Sequence, residues 1–309
     1  MFEDQIRSNI NRSWALIIGF IVFFTVFIYL VGWFLSYYYD DPSIATIFLV
    51  LALAFSFLSA WGSYYYSDRI VISSVGAVPA DPVHHRRLYD LAEGLTIAAG
   101  LPAVPKLYVM DDPSPNAFAT GRNPEHSAIV VTSGLLEMLD RDELEGVLAH
   151  EMGHILNYDI LLATLISVLV GAVIIISHFL WRMMWYSGGG GGRRRDGGGG
   201  IIILVMLVVS IIFLILAPLA AQLIQLAVSR KREYLADATS ARLTRYPEGL
   251  ARALQKIDEH PRAVATATKA TAHLFIADPF RKRARGTWLN TLFSTHPPLE
   301  DRIARLLAM

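Results

Sequence analysis

The sequence predicts a mainly α-helical multi-pass membrane protein, with about four transmembrane helices and a mixed α+β domain on the cytoplasmic side. Three observations predict it. The 309 residues are 54% hydrophobic and 17% charged, with mean hydropathy +0.42, which is too apolar for an ordinary soluble domain. Several uncharged runs are long enough to cross a bilayer. Around them lie charged segments of helical periodicity and two short stretches rich in β-branched or aromatic residues. A formal net charge of +0 and a pI near 7.1 leave no electrostatic footprint for nucleic acid. The absence of cysteine excludes disulfides, thiolate metal sites and cysteine nucleophiles, so His, Asp and Glu are the metal ligands to look for.

Residues 1–64 read as a transmembrane hairpin. The run 14–37 carries no charge and is edged by Trp33 and by Tyr37, Tyr38 and Tyr39; a second run, 44–64, follows at once. The first is too long for a signal peptide and lacks a small-residue cleavage site, so it is an anchor. Arg7 and Arg12 precede it, and the turn between the runs holds Asp40 and Asp41 without a basic residue, which puts the amino terminus in the cytoplasm. Residues 65–159 form the first half of the domain outside the bilayer. Helical periodicity over 82–99 stops at Gly100-Leu101-Pro102, and Lys106–Met110 and 128–132 read as strands around a loop at 116–121.

Residues 160–228 form a second hairpin: an apolar run at 160–181, a flexible Gly/Arg tract at 187–200 with Arg193, Arg194 and Arg195, and a fourth run at 201–228. The second half of the domain, 229–309, is charged and helical, punctuated by Pro247, Pro261 and Pro297-Pro298.

The chemistry centres on His150-Glu151-Met152-Gly153-His154. Two histidines four apart share one helical face, so both imidazoles can bind one Zn²⁺. Glu151, rotated by about 100° per residue, sits on the flank of that face, where it can serve as a general base. Asp140, with Glu143 three residues on, is a helix start before Leu144, Val147, Leu148, Met152 and Ile155. Catalytic zinc takes three protein ligands and a water. The third ligand must come from elsewhere, and Glu233 is the leading candidate. It and His154 lie similar numbers of residues from the fourth and third apolar runs, each on the order of 10 Å from the membrane at ~1.5 Å per residue. Asp237, on the same helical face, competes for the role or accepts a free imidazole N–H.

His150 to His154 with Asn157 and Asp159, then Glu233-Tyr234-Leu235-Ala236-Asp237 after paired apolar runs, with Asn116-Ala117-Phe118-Ala119 upstream, resembles the HtpX family of membrane-bound zinc metallopeptidases. The resemblance covers nearly the whole chain. It implies a zincin-like metalloprotease domain related to the CaaX prenyl endopeptidases, facing the cytoplasm from the cell membrane, with one Zn²⁺ held by His150, His154 and Glu233. By the same resemblance Asp237 and Asn157 support the site, and His296, in Thr295-His296-Pro297-Pro298, is a late family histidine near the metal. The implied substrates are polypeptides, membrane proteins in quality control among them. The Gly/Arg tract at 187–200 departs from the family pattern.

Asn116, Ala117 and Phe118 precede a strand leading to the metal helix, so a strand edge there is expected to hold an extended peptide by backbone hydrogen bonds. An intramembrane protease would bury Asp140, Arg141, Asp142, Glu143 and Glu145 in lipid, which is expensive. A metal transporter would need facing intramembrane carboxylates and histidines that the spans lack. A non-catalytic scaffold with structural zinc, and a prenyl-protein-type processing protease, are the alternatives.

Overall fold

The computed structural model describes residues 2–188, 229–268, 270–280 and 297–309. They form helices α1 (Phe2–Tyr39), α2 (Pro42–Ser74), α3 (Arg86–Ala99), α4 (Ser133–Met138), α5 (Arg141–Leu156), α6 (Asp159–Gly188), α7 (Arg230–Thr244), α8 (Pro247–Glu259) and α9 (Leu299–Leu307). The strands are β1 (Val78–Pro79), β2 (Lys106–Met110), β3 (Ala117–Asn123) and β4 (His126–Thr132), and a 3₁₀ turn spans Ala272–Leu274.

Two compact units emerge. One comprises the chain up to Ser13, Tyr65–Ser167 and the described residues from Ser229 on; the other comprises Trp14–Tyr64 and the described part of α6 from Val168 on. In the second unit α1 and α2 turn their apolar side chains outward. Trp14, Ile18, Leu30, Trp33, Val50 and Phe57 are all exposed, the pattern of helices whose solvent is lipid. Among the described residues, Ile6–Tyr39 and Pro42–Ser74 are long and apolar enough to span a membrane. Within the pair, Thr25 donates to the Ser56 hydroxyl at 3.1 Å and the Phe24 and Phe55 rings meet at 5.9 Å.

The first unit is built on a sheet of order β1-β2-β4-β3, with β2 parallel to β4 and the other pairs antiparallel. β3 is therefore an edge strand. It occupies the segment 117–123, which the sequence reads as a loop. Ala-Phe-Ala-Thr-Gly-Arg-Asn has little β-branching, and its extended shape comes from pairing with β4, from Ala117 opposite Val131 to Asn123 opposite His126. At Gly121, φ is +142° and an added Cβ would lie 2.4 Å from the His126 carbonyl, so glycine permits the close approach of the two strands. The core fills the space between this sheet and α3, α5, α8 and α9: Leu88, Ile129, Leu135, Leu144, Leu148 and Leu254 are all buried.

Candidate metal centre

The α5 helix starts where its sequence says. Asp140 accepts from the Glu143 N–H at 2.9 Å, and the Glu143 carboxylate accepts from the Asp140 N–H at 2.9 Å, closing a capping box. Leu144, Val147, Leu148, Met152 and Ile155 are completely buried, which fixes the rotation of the helix and turns His150 and His154 to one side. Asn157 ends α5, Tyr158 adopts the left-handed backbone (φ +58°), and α6 leaves at 84° to α5.

On the other side stands α7, whose buried face carries Glu233, Ala236, Asp237 and Ser240. It approaches α5 closely because Gly153 has no side chain: a Cβ there would sit 3.1 Å from Ala236 Cα. Ser240 donates to the Gly146 carbonyl at 2.7 Å one turn further along. This packing sets Glu233 against the two imidazoles. His150 Nε2 and His154 Nε2 lie 3.2 Å apart, with Glu233 Oε2 3.8 Å from the first and Oε1 3.6 Å from the second. Ligand atoms of all three lie within 4.8 Å of one another.

The remaining ring nitrogens decide what that cluster is for. His150 Nδ1 lies 2.9 Å from Asp237 Oδ1, and His154 Nδ1 lies 3.0 Å from Asp159 Oδ2. A carboxylate at Nδ1 fixes the proton there, which leaves a lone pair on each Nε2. Without a metal, one proton shared along the 3.2 Å Nε2···Nε2 contact separates the two rings beside the Glu233 carboxylate, and a cation can take that proton's place. Two nitrogens at ~2.0–2.1 Å on a tetrahedral ion would be about 3.3 Å apart, close to the separation seen. The donor set fits Zn²⁺.

Burial pushes the His150 ring down to about 4, reinforced by the Arg302 guanidinium, so it stays neutral as a metal ligand must. For His154 burial acts in the same direction, but the hydrogen bond to Asp159 and the Glu233 carboxylate override it and lift the ring to about 9. Burial pushes Glu151 up to about 7 against the pull of His154.

Arg302, from α9, was invisible as a site residue in the sequence. It is completely buried and forks onto Asp237, with Nε to Oδ2 at 2.9 Å and Nη2 to Oδ1 at 2.7 Å. Its Nη1 lies 3.6 Å from Glu233 Oε2 and donates to the Ile276 carbonyl at 3.2 Å. Burial would lift the Asp237 carboxyl; Arg302 and the His150 hydrogen bond outweigh it and hold it down at about 2.

Asp159, quoted in the sequence only as part of a motif, holds His154 in the way that Asp237 holds His150. Asn157 offers its backbone carbonyl to Asn9, at 2.9 Å, and the carboxylate that supports the histidine is its neighbour Asp159. His296 lies outside the described residues.

The edge of β3 is not open where the sequence expects it. Asn116 exchanges hydrogen bonds with the backbone of Ala277, Ala117 accepts from the Ile276 N–H at 2.9 Å, and Phe118 stacks edge-on against Phe275. Asn116, Ala117 and Phe118 are buried under that segment and form the wall of the site. Backbone groups two residues apart point to the same side of a strand, and at Ala119 the N–H reaches Glu151. There a cavity of about 40 Å³ is lined by Ala119, Glu151, His154, Glu233, Arg232 and His273, among others.

Two imidazoles one helical turn apart, an adjoining buried glutamate and a third carboxylate from a later helix define the centre of a metallopeptidase. Residues 82–309 match the profile of peptidase family M48. Proteins named Protease HtpX homolog are 47% identical in Caldanaerobacter subterraneus subsp. tengcongensis, over 100% of this chain and 98% of that one, and 40% identical in Streptococcus gordonii, over 100% of both. A crystal structure of S. mikatae Ste24p aligns at 22% identity with TM-score 0.45, covering 98% of this chain and 65% of that one. The chain belongs to peptidase family M48, among its HtpX proteases.

Proposed function

We propose that this membrane peptidase is a zinc endopeptidase, with one Zn²⁺ held by His150, His154 and Glu233 and with Glu151 as general base. The observation that carries the reading is the 3.2 Å approach of two Nε2 atoms whose Nδ1 partners are both carboxylates, with Glu233 beside them. A zinc ion there supplies polarisation of the scissile carbonyl and acidification of a water.

The chain's own residues do the rest. Glu151 takes the proton of the attacking water and returns it to the leaving amine nitrogen, so one carboxylate is base and then acid. Asp237 and Asp159 keep both imidazoles in the tautomer that presents Nε2. The scissile peptide bond enters the cavity lined by Ala119, Glu151, His154 and Glu233, and Asn116, Ala117 and Phe118 form the wall that holds this part of β3 in place. His296 donates to the oxyanion that develops on the carbonyl.

The chain spans the cell membrane four times, with residues 160–228 as the second hairpin and both halves of the active site in the cytoplasm. Arg7 and Arg12 before the first span, with Asp40 and Asp41 after it, support the cytoplasmic orientation, and the length of the apolar runs supports the number of spans. Misfolded membrane proteins, which expose extended segments near the bilayer, are the substrates in a quality-control role. The test is Glu151→Gln in the full chain. Retained zinc with lost cleavage of an unfolded protein is expected; cleavage undiminished by the substitution refutes the mechanism.

A further inference from the structure

The first turns of α1 lie in the same compact unit as the metal centre, and one side chain there is completely enclosed. Asn9 is 1% exposed. Its amide nitrogen lies 2.9 Å from the Asn157 carbonyl and 2.7 Å from Asp159 Oδ1. Both partners are acceptors, so only the NH₂ end of the amide can face them, and its two protons are both used. The two acceptors flank Tyr158, whose left-handed backbone marks the break between α5 and α6. A non-glycine residue holds that conformation only where its surroundings enforce it. Asn9 bridges this break from a third helix.

The bridge leads to the metal ligand in one step. The Asp159 oxygen that Asn9 holds is Oδ1; the other, Oδ2, takes the Nδ1–H of His154 at 3.0 Å. With both oxygens engaged, the carboxylate has one orientation, and so does the imidazole it supports. Arg232 also reaches Oδ1, but at 3.7 Å, which is an ion-pair distance without a hydrogen bond's directionality.

We propose that Asn9 is a positioning residue of the metal centre: by fixing Asp159 it aims His154 Nε2 at the metal, so that the amino-terminal helix completes a site whose ligands all come from elsewhere in the chain. This rests on the zinc reading above. Carboxylates that support ligating histidines typically change metal affinity by about 10–100-fold when removed, and Asn9 acts one bond further out, so the lower end of that range is expected.

The experiment measures zinc affinity by chelator competition on the purified full-length protein in detergent. Asn9→Ala should weaken zinc binding roughly ten-fold. Asp159→Ala should weaken it at least as much, and adding N9A to D159A should cause no further loss, because the residue through which Asn9 acts is gone. Ser13→Ala, on the same helix, removes a hydroxyl that donates only to the Asn9 carbonyl, and should leave affinity unchanged.

Unaltered zinc affinity in N9A, or an equal loss from N9A with and without Asp159, overturns the proposal. Where N9A does not accumulate, Asn9→Ser is judged by the same criteria. Absence of zinc binding in the wild type would instead refute the underlying zinc reading.

Discussion

Removing Asp237 exposes how the site is held together. The carboxylate is 2% exposed and has two duties: it accepts the His150 Nδ1–H and it is the bidentate partner of a fully buried guanidinium. Asp237→Ala leaves Arg302 with the Ile276 carbonyl at 3.2 Å, the His150 ring at 3.4 Å and Glu233 at 3.6 Å. Stranding one member of a buried ion pair costs about 3–5 kcal/mol; those remaining contacts place this case at the lower end, about 3 kcal/mol. For a unit of this size that corresponds to a drop in melting temperature of about 6–12 °C.

Arg302→Met strands Asp237 in turn and should cost a similar amount. The double variant Asp237→Ala with Arg302→Met removes both members of the pair and should lose clearly less than the sum of those two singles, with a coupling of at least about 1.5 kcal/mol. The assay is thermal unfolding in detergent of the metal-free protein. The Asp237 carboxyl, held at about 2, contributes stability that is complete above its ordinary value of 3.8 and lost as pH falls through 2, so the D237A deficit should shrink only below pH 4. A D237A protein melting within two degrees of wild type, or additive singles, would refute the account (about 1 kcal/mol being the most that such a shift allows).

Gly146→Ala would place a Cβ 2.6 Å from the Leu250 nitrogen, backbone that cannot yield. Overpacking of this kind costs about 1–3 kcal/mol, and the melting temperature should fall accordingly while an exposed Gly94→Ala, with open space around its Cβ, should not lower it. Glu143→Ala removes the reciprocal half of the α5 capping box and the 2.6 Å ion pair with Lys256. It should lower stability by about 1–2 kcal/mol, with zinc affinity unchanged in chelator competition, since Glu143 touches no ligand.

The parts of the site that follow from local rules were legible in the sequence, and the parts made by tertiary packing were not. The capping box at Asp140 and Glu143, the apolar positions that bury α5, and the shared face of His150 and His154 all follow from helical period alone. β2 occupies the expected residues, and β4 begins two residues before the stretch that reads as a strand. β3 escaped because its residues carry little strand preference of their own. Arg302 escaped for a different reason. Leu299, Arg302 and Leu306 share the buried face of α9, but an arginine in an amphipathic helix reads as solvated surface unless its carboxylate partner, 65 positions away, is known. Asn9 and Asp159 are separated by 150 positions, and nothing local joins them.

The charges enclosed around the two imidazoles point to one more consequence. Glu151, Asp159, Glu233 and Asp237 are all buried, against the buried guanidiniums of Arg232 and Arg302. With both histidines neutral, as they are when they hold a metal, four carboxylates less two guanidiniums leaves a net charge of −2, which a divalent cation cancels; without the metal, the proton that the raised His154 ring retains offsets part of that charge. Glu151 bears the strain most clearly, since burial lifts its carboxyl from 4.5 to about 7. A raised carboxyl makes the folded state bind its proton more tightly than the unfolded state, so it destabilises the fold as pH rises from 4.5 through 7. At pH 8 the cost is on the order of 3 kcal/mol. In the metal-free protein Glu151→Gln should therefore melt above wild type at pH 8, by roughly 6–12 °C, with the gap closing toward pH 4.5. Zinc should narrow the gap at pH 8, because the cation stabilises the wild-type carboxylate and has less to offer glutamine. A gap that is the same at every pH would show that packing, and not the uncompensated charge, sets the difference.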